Sequence, residues 1–164
     1  FIFIESNVQG VPFPHLEFVE YARKYLDGTL DKVKSVFTED DVNVLIEVNN
    51  YNVKAKNNEE IRIPVKVINK SSTLMSSLNE KPIFVAYHII DSSGNKIVHD
   101  GRRSPLPNDI GPGEFINMDA YIDVPNLKGN YTIELSIVQE GVMWLENYNH
   151  NLPVKINLTV VGGN

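Results

Sequence analysis

Two adjacent arginines, Arg102 and Arg103, stand just ahead of a loop stiffened by Pro105, Pro107 and Pro112 in the stretch VHDGRRSPLPNDIGPGE, residues 98–114. A guanidinium presents its donors in a planar fork, so either arginine can grip sugar hydroxyls, ring oxygens or an anionic substituent. A loop of low conformational entropy loses little freedom on binding, which favours groups mounted on it. The competing reading pairs an arginine with Asp100 or Asp109 and makes it a brace that holds the loop shut. A second stretch, VQEGVMWLENYNH at residues 138–150, puts Glu140 before Gly141 and then brings Trp144, Tyr148 and His150 in quick succession. Aromatic rings stack on the C–H faces of sugars, while Glu140, Asn147 and Asn149 are available for hydroxyls. Trp144 can instead close the core, with its indole N–H on a backbone carbonyl.

The signatures of enzymatic chemistry are absent from the sequence. It has no phosphate loop, dinucleotide glycine fingerprint, Gly-x-Ser-x-Gly elbow or His-Glu-x-x-His. The four histidines are scattered without helical ligand spacing, and there is no cysteine, so neither a metal site nor a disulfide is expected. DSSGN at 91–95 offers oxygen ligands to calcium, but a hairpin turn explains the same residues better. No cofactor is expected. The formal charge of −6 argues against a general binder of nucleic acid or anionic membrane. No apolar run approaches the length of a membrane span, so direct membrane insertion is not expected either. The start at Phe1 reads as the cut end of something longer, and the lack of cysteine suits a cytoplasmic location.

These groups must be positioned by a scaffold that changes character near residue 40. Before it, Leu16, Val19, Ala22 and Leu26 fall at helical spacing, and Gly28 supplies a stop. A second short helix is expected over TLDKVKSVF, residues 29–37, with Leu30, Val33 and Phe37 on one side. One amphipathic stripe cannot form a core alone, so residues 1–40 are expected to pack on the neighbouring domain. From Val42 the apolar period switches to two. Seven or more short strands separated by turn signals follow, with no helices between them. Residues 41–161 therefore predict an antiparallel Ig-like or jelly-roll β-sandwich. Pro64 suggests an edge position for its strand, because proline has no N–H for the ladder. Val85, Tyr87, Ile89, Tyr131, Ile133 and Leu135 are the expected core. The opposite faces of those strands would set His88, Ser136 and Glu140 on one outer surface.

Read together, VKVINKSS, VAYHIIDSSGNKIVHDGRRSPLP, DIGPGE, VPNLKGNYTIELSIVQEGVMW and KINLTVV resemble a family of bacterial β-sandwich modules attached to polysaccharide-assembly proteins. The resemblance covers residues 61–161 and extends to the carbohydrate-binding C-terminal domain of the Wzt type, found on ABC transporters of O-antigen. It implies a non-catalytic module for a bacterial cell-surface polysaccharide, serving a catalytic or ATPase domain in the same or a neighbouring chain, at the inner-membrane face through those partners. A homodimer formed through an exposed edge strand would fit the same role. The residues it implies are His88, Arg103, Glu140 and Trp144; Arg102 and Tyr148 join them from the reading above. Ile89 and Leu145 stand where the family often has aromatics, which shifts the expected grip from stacking towards hydrogen bonding. A structural or protein-docking spacer without a sugar site is the alternative.

Overall fold

The computed structural model describes residues 33–163. Ten strands alternate with turns: β1 (Val44–Val48), β2 (Asn52–Lys56), β3 (Glu60–Asn69), β4 (Ile83–Asp91), β5 (Lys96–Val98), β6 (Ser104–Pro105), β7 (Phe115–Asp123), β8 (Gly129–Gln139), β9 (Met143–Trp144) and β10 (Val154–Val161). A 3-10 turn, Leu145–Asn147, follows β9. One sheet has the order β1-β3-β7; the larger runs β2-β10-β8-β4-β5, with β6 added to β4 and β9 to β8. The chain is mainly β, and the two sheets form a sandwich. Its core is built from the inner faces of both: Val44, Ile46, Ile63, Val65, Val67 and Ile122 from the smaller sheet, and Ile83, Val85, Tyr87, Ile89, Ile133, Leu135, Ile137, Ile156 and Leu158 from the larger.

Alternation accounts for most of this core, and five of the six expected core residues are buried. Tyr131 is only partly buried, because its hydroxyl reaches out of the core to donate to the Leu127 carbonyl at 2.7 Å. Two further expectations need correction. The sheets are not wholly antiparallel, since β2 pairs parallel to β10 at one edge. Pro64 lies in the central strand of the smaller sheet, not in an edge strand. Asn69 N–H donates to Glu114 and Lys70 N–H to Asn43, so along β3 the odd residues address β7 and the even ones β1. The pairing with β1 ends at Val65, so Pro64 directs its missing donor just past the end of β1.

The expected first helix lies outside the described residues. The second does not form in its described part, where residues 33–37 carry no regular secondary structure and bend at Val36. Its backbone groups are claimed by the sandwich. Phe37 N–H donates to Gln139 Oε1, Ser35 C=O accepts from Gln139 Nε2, and Lys34 C=O accepts from Leu74 N–H. A helical ladder would leave the buried Gln139 amide without these partners, which is costly in a dry interior. The compact unit holding the sandwich accordingly begins at Lys34. Asp41 secures the same end, accepting from Lys34 Nζ at 2.7 Å, Ser72 Oγ at 2.6 Å and Thr73 Oγ1 at 3.0 Å. Partial burial works against ionisation there, yet those donors outweigh it and hold the carboxyl well below the usual carboxylate range.

Candidate functional site

The loop with the two arginines runs along one open edge of the sandwich and fastens the two sheets to each other. Gly101 N–H donates to the Tyr87 carbonyl of β4 at 2.9 Å. A Cβ on Gly101 would come within 2.5 Å of that carbonyl oxygen and of the Tyr87 ring, so only glycine allows this approach. Three residues on, Ser104 pairs with Val85, and its hydroxyl accepts the Tyr121 N–H of β7 at 2.9 Å. The Tyr87 hydroxyl accepts the Asp123 N–H at 3.0 Å. Two outward N–H groups of edge strand β7 are thereby satisfied, and pairing with another strand is blocked at that end.

Neighbouring residues of an extended segment point to opposite sides, and the arginines diverge accordingly. Arg102 turns to the outer face of the smaller sheet. There Glu60 and Asp123 stand directly opposite each other, and two like charges facing across strands are unfavourable. Arg102 lies between them, with Nη1 at 2.7 Å from Glu60 and 3.5 Å from Asp123, and its guanidinium is 5.1 Å from the Tyr121 ring centroid. Arg103 turns to the outer face of the larger sheet. Its Nε donates to Glu140 Oε1 at 2.6 Å, Nη1 to the Gly101 carbonyl at 2.9 Å, and Nη2 to Asp100 Oδ1 at 3.2 Å. Burial works against its charge, but Glu140 and Asp100 outweigh that and raise its pKa further.

Beneath Arg103 lies Trp144, half-buried, its ring 5.1 Å from the guanidinium and 4.2 Å from the His88 ring. The turn Glu140-Gly141 puts Trp144 there. Val142 N–H bonds back to the Gln139 carbonyl, Gly141 adopts a φ of +71°, and β9 folds against β8 with Trp144 opposite Val138. Leu145 then enters the core and Glu146 returns over the outer face. His88, only 1% exposed, bonds through Nε2 to Glu146 and through Nδ1 to the His99 carbonyl. A carbonyl can only accept, so Nδ1 carries a hydrogen. With both nitrogens occupied, His88 has none left to activate the buried Ser136 hydroxyl, which has no partner among the described residues.

The structure thus brings together four of the six residues singled out from sequence: His88, Arg103, Glu140 and Trp144. It does not bring in Arg102, on the other sheet, or Tyr148. The 3-10 turn carries Tyr148 past the cluster to an exposed position where the Glu39 carboxylate raises its phenol pKa. His88 is enclosed and positions its neighbours without meeting solvent. Asn149, expected among the hydroxyl binders, is buried and donates to the Val42 and Val44 carbonyls. Sequence reasoning missed Glu146. A buried histidine on a sheet face calls for an acceptor, and a carboxylate two residues beyond Trp144 was the available signal. The hairpin reading of DSSGN holds, since Asp91 Oδ1 accepts from the N–H groups of Ser93 and Asn95 and Gly94 has a φ of +86°. Among the described residues no three metal-ligating side chains gather, and no helix is long and apolar enough to cross a membrane.

The chain matches no protein-family model and no curated protein. Among solved structures, that of the Pseudomonas fluorescens alkylpurine DNA glycosylase AlkC, bound to DNA containing an abasic site analog, is similar with a TM-score of 0.42 and 12% identity. The match covers 85% of this chain but only 33% of that one, and a likeness of this size carries no implication for function.

Proposed function

We propose that residues 34–161 form a non-catalytic binding module for a bacterial cell-surface polysaccharide, read by the outer face of the larger sheet around Trp144. The observation that supports this best is the convergence of Arg103, Glu140 and Trp144, from separate parts of the chain, over a buried His88–Glu146 pair. Arg103 is fixed by three hydrogen bonds, yet its side chain is 25% exposed, and Glu140 and Asp100 beside it are 38% and 67% exposed. A half-exposed indole flanked by a fixed guanidinium and two open carboxylates offers an apolar face with donors and acceptors around it. Hydrated hydroxyl groups suit such a surface. Water competes for each of these contacts, so affinity per site is low. A homodimer or attachment to a glycan export or biosynthesis protein would raise it through multivalency.

Affinity electrophoresis through gels containing O-antigen-like polysaccharides tests the reading. Retardation by at least one glycan is expected, and unchanged mobility across a broad panel would end it. One observation favours the second reading, a spacer that orients a neighbouring domain: His88 is enclosed, and Arg103 already holds three partners. A spacer would show no retardation at all.

A further inference from the structure

Three depressions on the described surface carry carboxylates: one has Glu47 and Asp119, another Asp91, and a third Glu39 and Asp40. A fourth, of about 260 Å³, has none and contains a cation. It is lined by Asn49, Asn50, Val53, Arg62, Ile63 and Pro64, where the turn from β1 to β2 meets the outer face of β3. In a chain of net charge −6, it is the one of these four depressions whose lining carries a cation and no carboxylate.

Arg62 is held in position there. Its cross-strand partner is Tyr121, and the guanidinium carbon lies 5.2 Å from that ring's centroid. Arg102 and Arg103 are both engaged by carboxylates, whereas among the described residues no carboxylate pairs with Arg62. Asn50 Oδ1 accepts from Asn52 N–H at 2.9 Å, so the group that Asn50 has to offer is its NH2. The lining therefore presents donors over an apolar floor of Val53, Ile63 and Pro64. Such chemistry takes up an acceptor with negative charge and a C–H face.

We propose that this depression binds a small organic carboxylate such as a sugar acid. The Arg62 fork engages the carboxylate, Asn50 donates to it or to an adjacent hydroxyl, and Pro64 and Val53 carry the C–H face. The volume is below the range of roughly 300–1,000 Å³ usual for drug-sized ligands, which limits the occupant to about one ring. The site uses none of the residues around Trp144 and stands or falls separately from the glycan reading there.

The test is an NMR titration of the full chain with glucuronate and, separately, with glucose. Glucuronate should shift the Asn49, Asn50 and Val53 amides and the Arg62 Nε–H saturably, while glucose at equal concentration leaves them in place. Arg62 is exposed, so Arg62→Gln should keep the fold, checked by an unchanged amide spectrum elsewhere. It should weaken glucuronate binding by about tenfold or more, the scale of a hydrogen bond to a charged group. Arg62→Lys retains the charge without the fork and should fall between. The proposal is overturned if glucuronate has no effect on the wild type, if glucose matches it, or if the shifts persist in Arg62→Gln. It is also overturned if they map to Arg103 and Trp144, an outcome that would leave the glycan reading standing.

Discussion

Arg102 and Arg103 are adjacent in sequence, yet they face opposite sheets and do different work. On the smaller sheet, Arg102 sits in solvent at 41% exposure and neutralises Glu60 and Asp123, which would otherwise repel across the strands. On the larger sheet, Arg103 is partly buried, at 25% exposure, over Trp144 and above a histidine cut off from water. The contrast shows how the two sides of one clasp can be engaged differently. One arginine contributes to holding the edge, and the other is held so that its remaining donors are presented.

Gly101→Ala should have the largest effect, because it strikes both sides at once. The added carbon cannot coexist with the Tyr87 backbone, and lifting the loop costs about 3 kcal/mol or more in denaturant unfolding. A variant as stable as the wild type would mean that the loop is not fastened to β4. His88→Ala comes next and acts on the larger sheet alone. It strands Glu146 and the His99 carbonyl and removes the neighbour of the Trp144 ring, at about 3 kcal/mol. Tryptophan fluorescence should report the change directly, since Trp144 is the only tryptophan.

The arginines themselves sharpen the comparison. Arg103→Ala should destabilise by about 1–2 kcal/mol and abolish glycan retention, while Arg102→Ala should cost about 0.5 kcal/mol and leave retention intact. Equal effects from the two would dissolve the distinction between the faces. The smallest expected signal is in acid. Asp41 and Asp100 both have folded-state pKa values below the unfolded value of 3.8. At Asp41 burial opposes the shift and the Lys34, Ser72 and Thr73 bonds overcome it; at Asp100 the Arg103 bond is the main cause. Their stabilisation is therefore complete above that value and is lost as pH falls below about 4. Urea midpoints measured against pH should flatten on this acid limb in Asp41→Asn, and much less in Asp100→Asn, whose carboxylate is exposed.

Much of this was legible in the sequence. Period-two alternation locates the strands and most of the core, and the turn residues mark their boundaries. Even the divergence of Arg102 and Arg103 follows from pleating, once the GRRSP segment is taken as extended. The parallel pairing of β2 with β10 was not legible, because it depends on a partner a hundred residues away. Helical spacing in the described part of 29–37, residues 33–37, was outweighed by hydrogen bonds to Gln139 and Leu74, which local periodicity cannot register. Within the site, Tyr148 and Asn149 were misgrouped with Trp144 for one reason. The 3-10 turn between them rotates the chain, so nearness in sequence does not become nearness in space.

In the proposed function Arg103 is both braced and presented, and Trp144 beneath it is a built-in reporter. Titrating a retained polysaccharide into the protein should change Trp144 emission saturably in the wild type. It should do so equally in Arg102→Ala and not at all in Arg103→Ala, whose unfolding midpoint shows it to be folded. An emission change of wild-type size in folded Arg103→Ala, or none in the wild type with any glycan that retards it, would contradict the account.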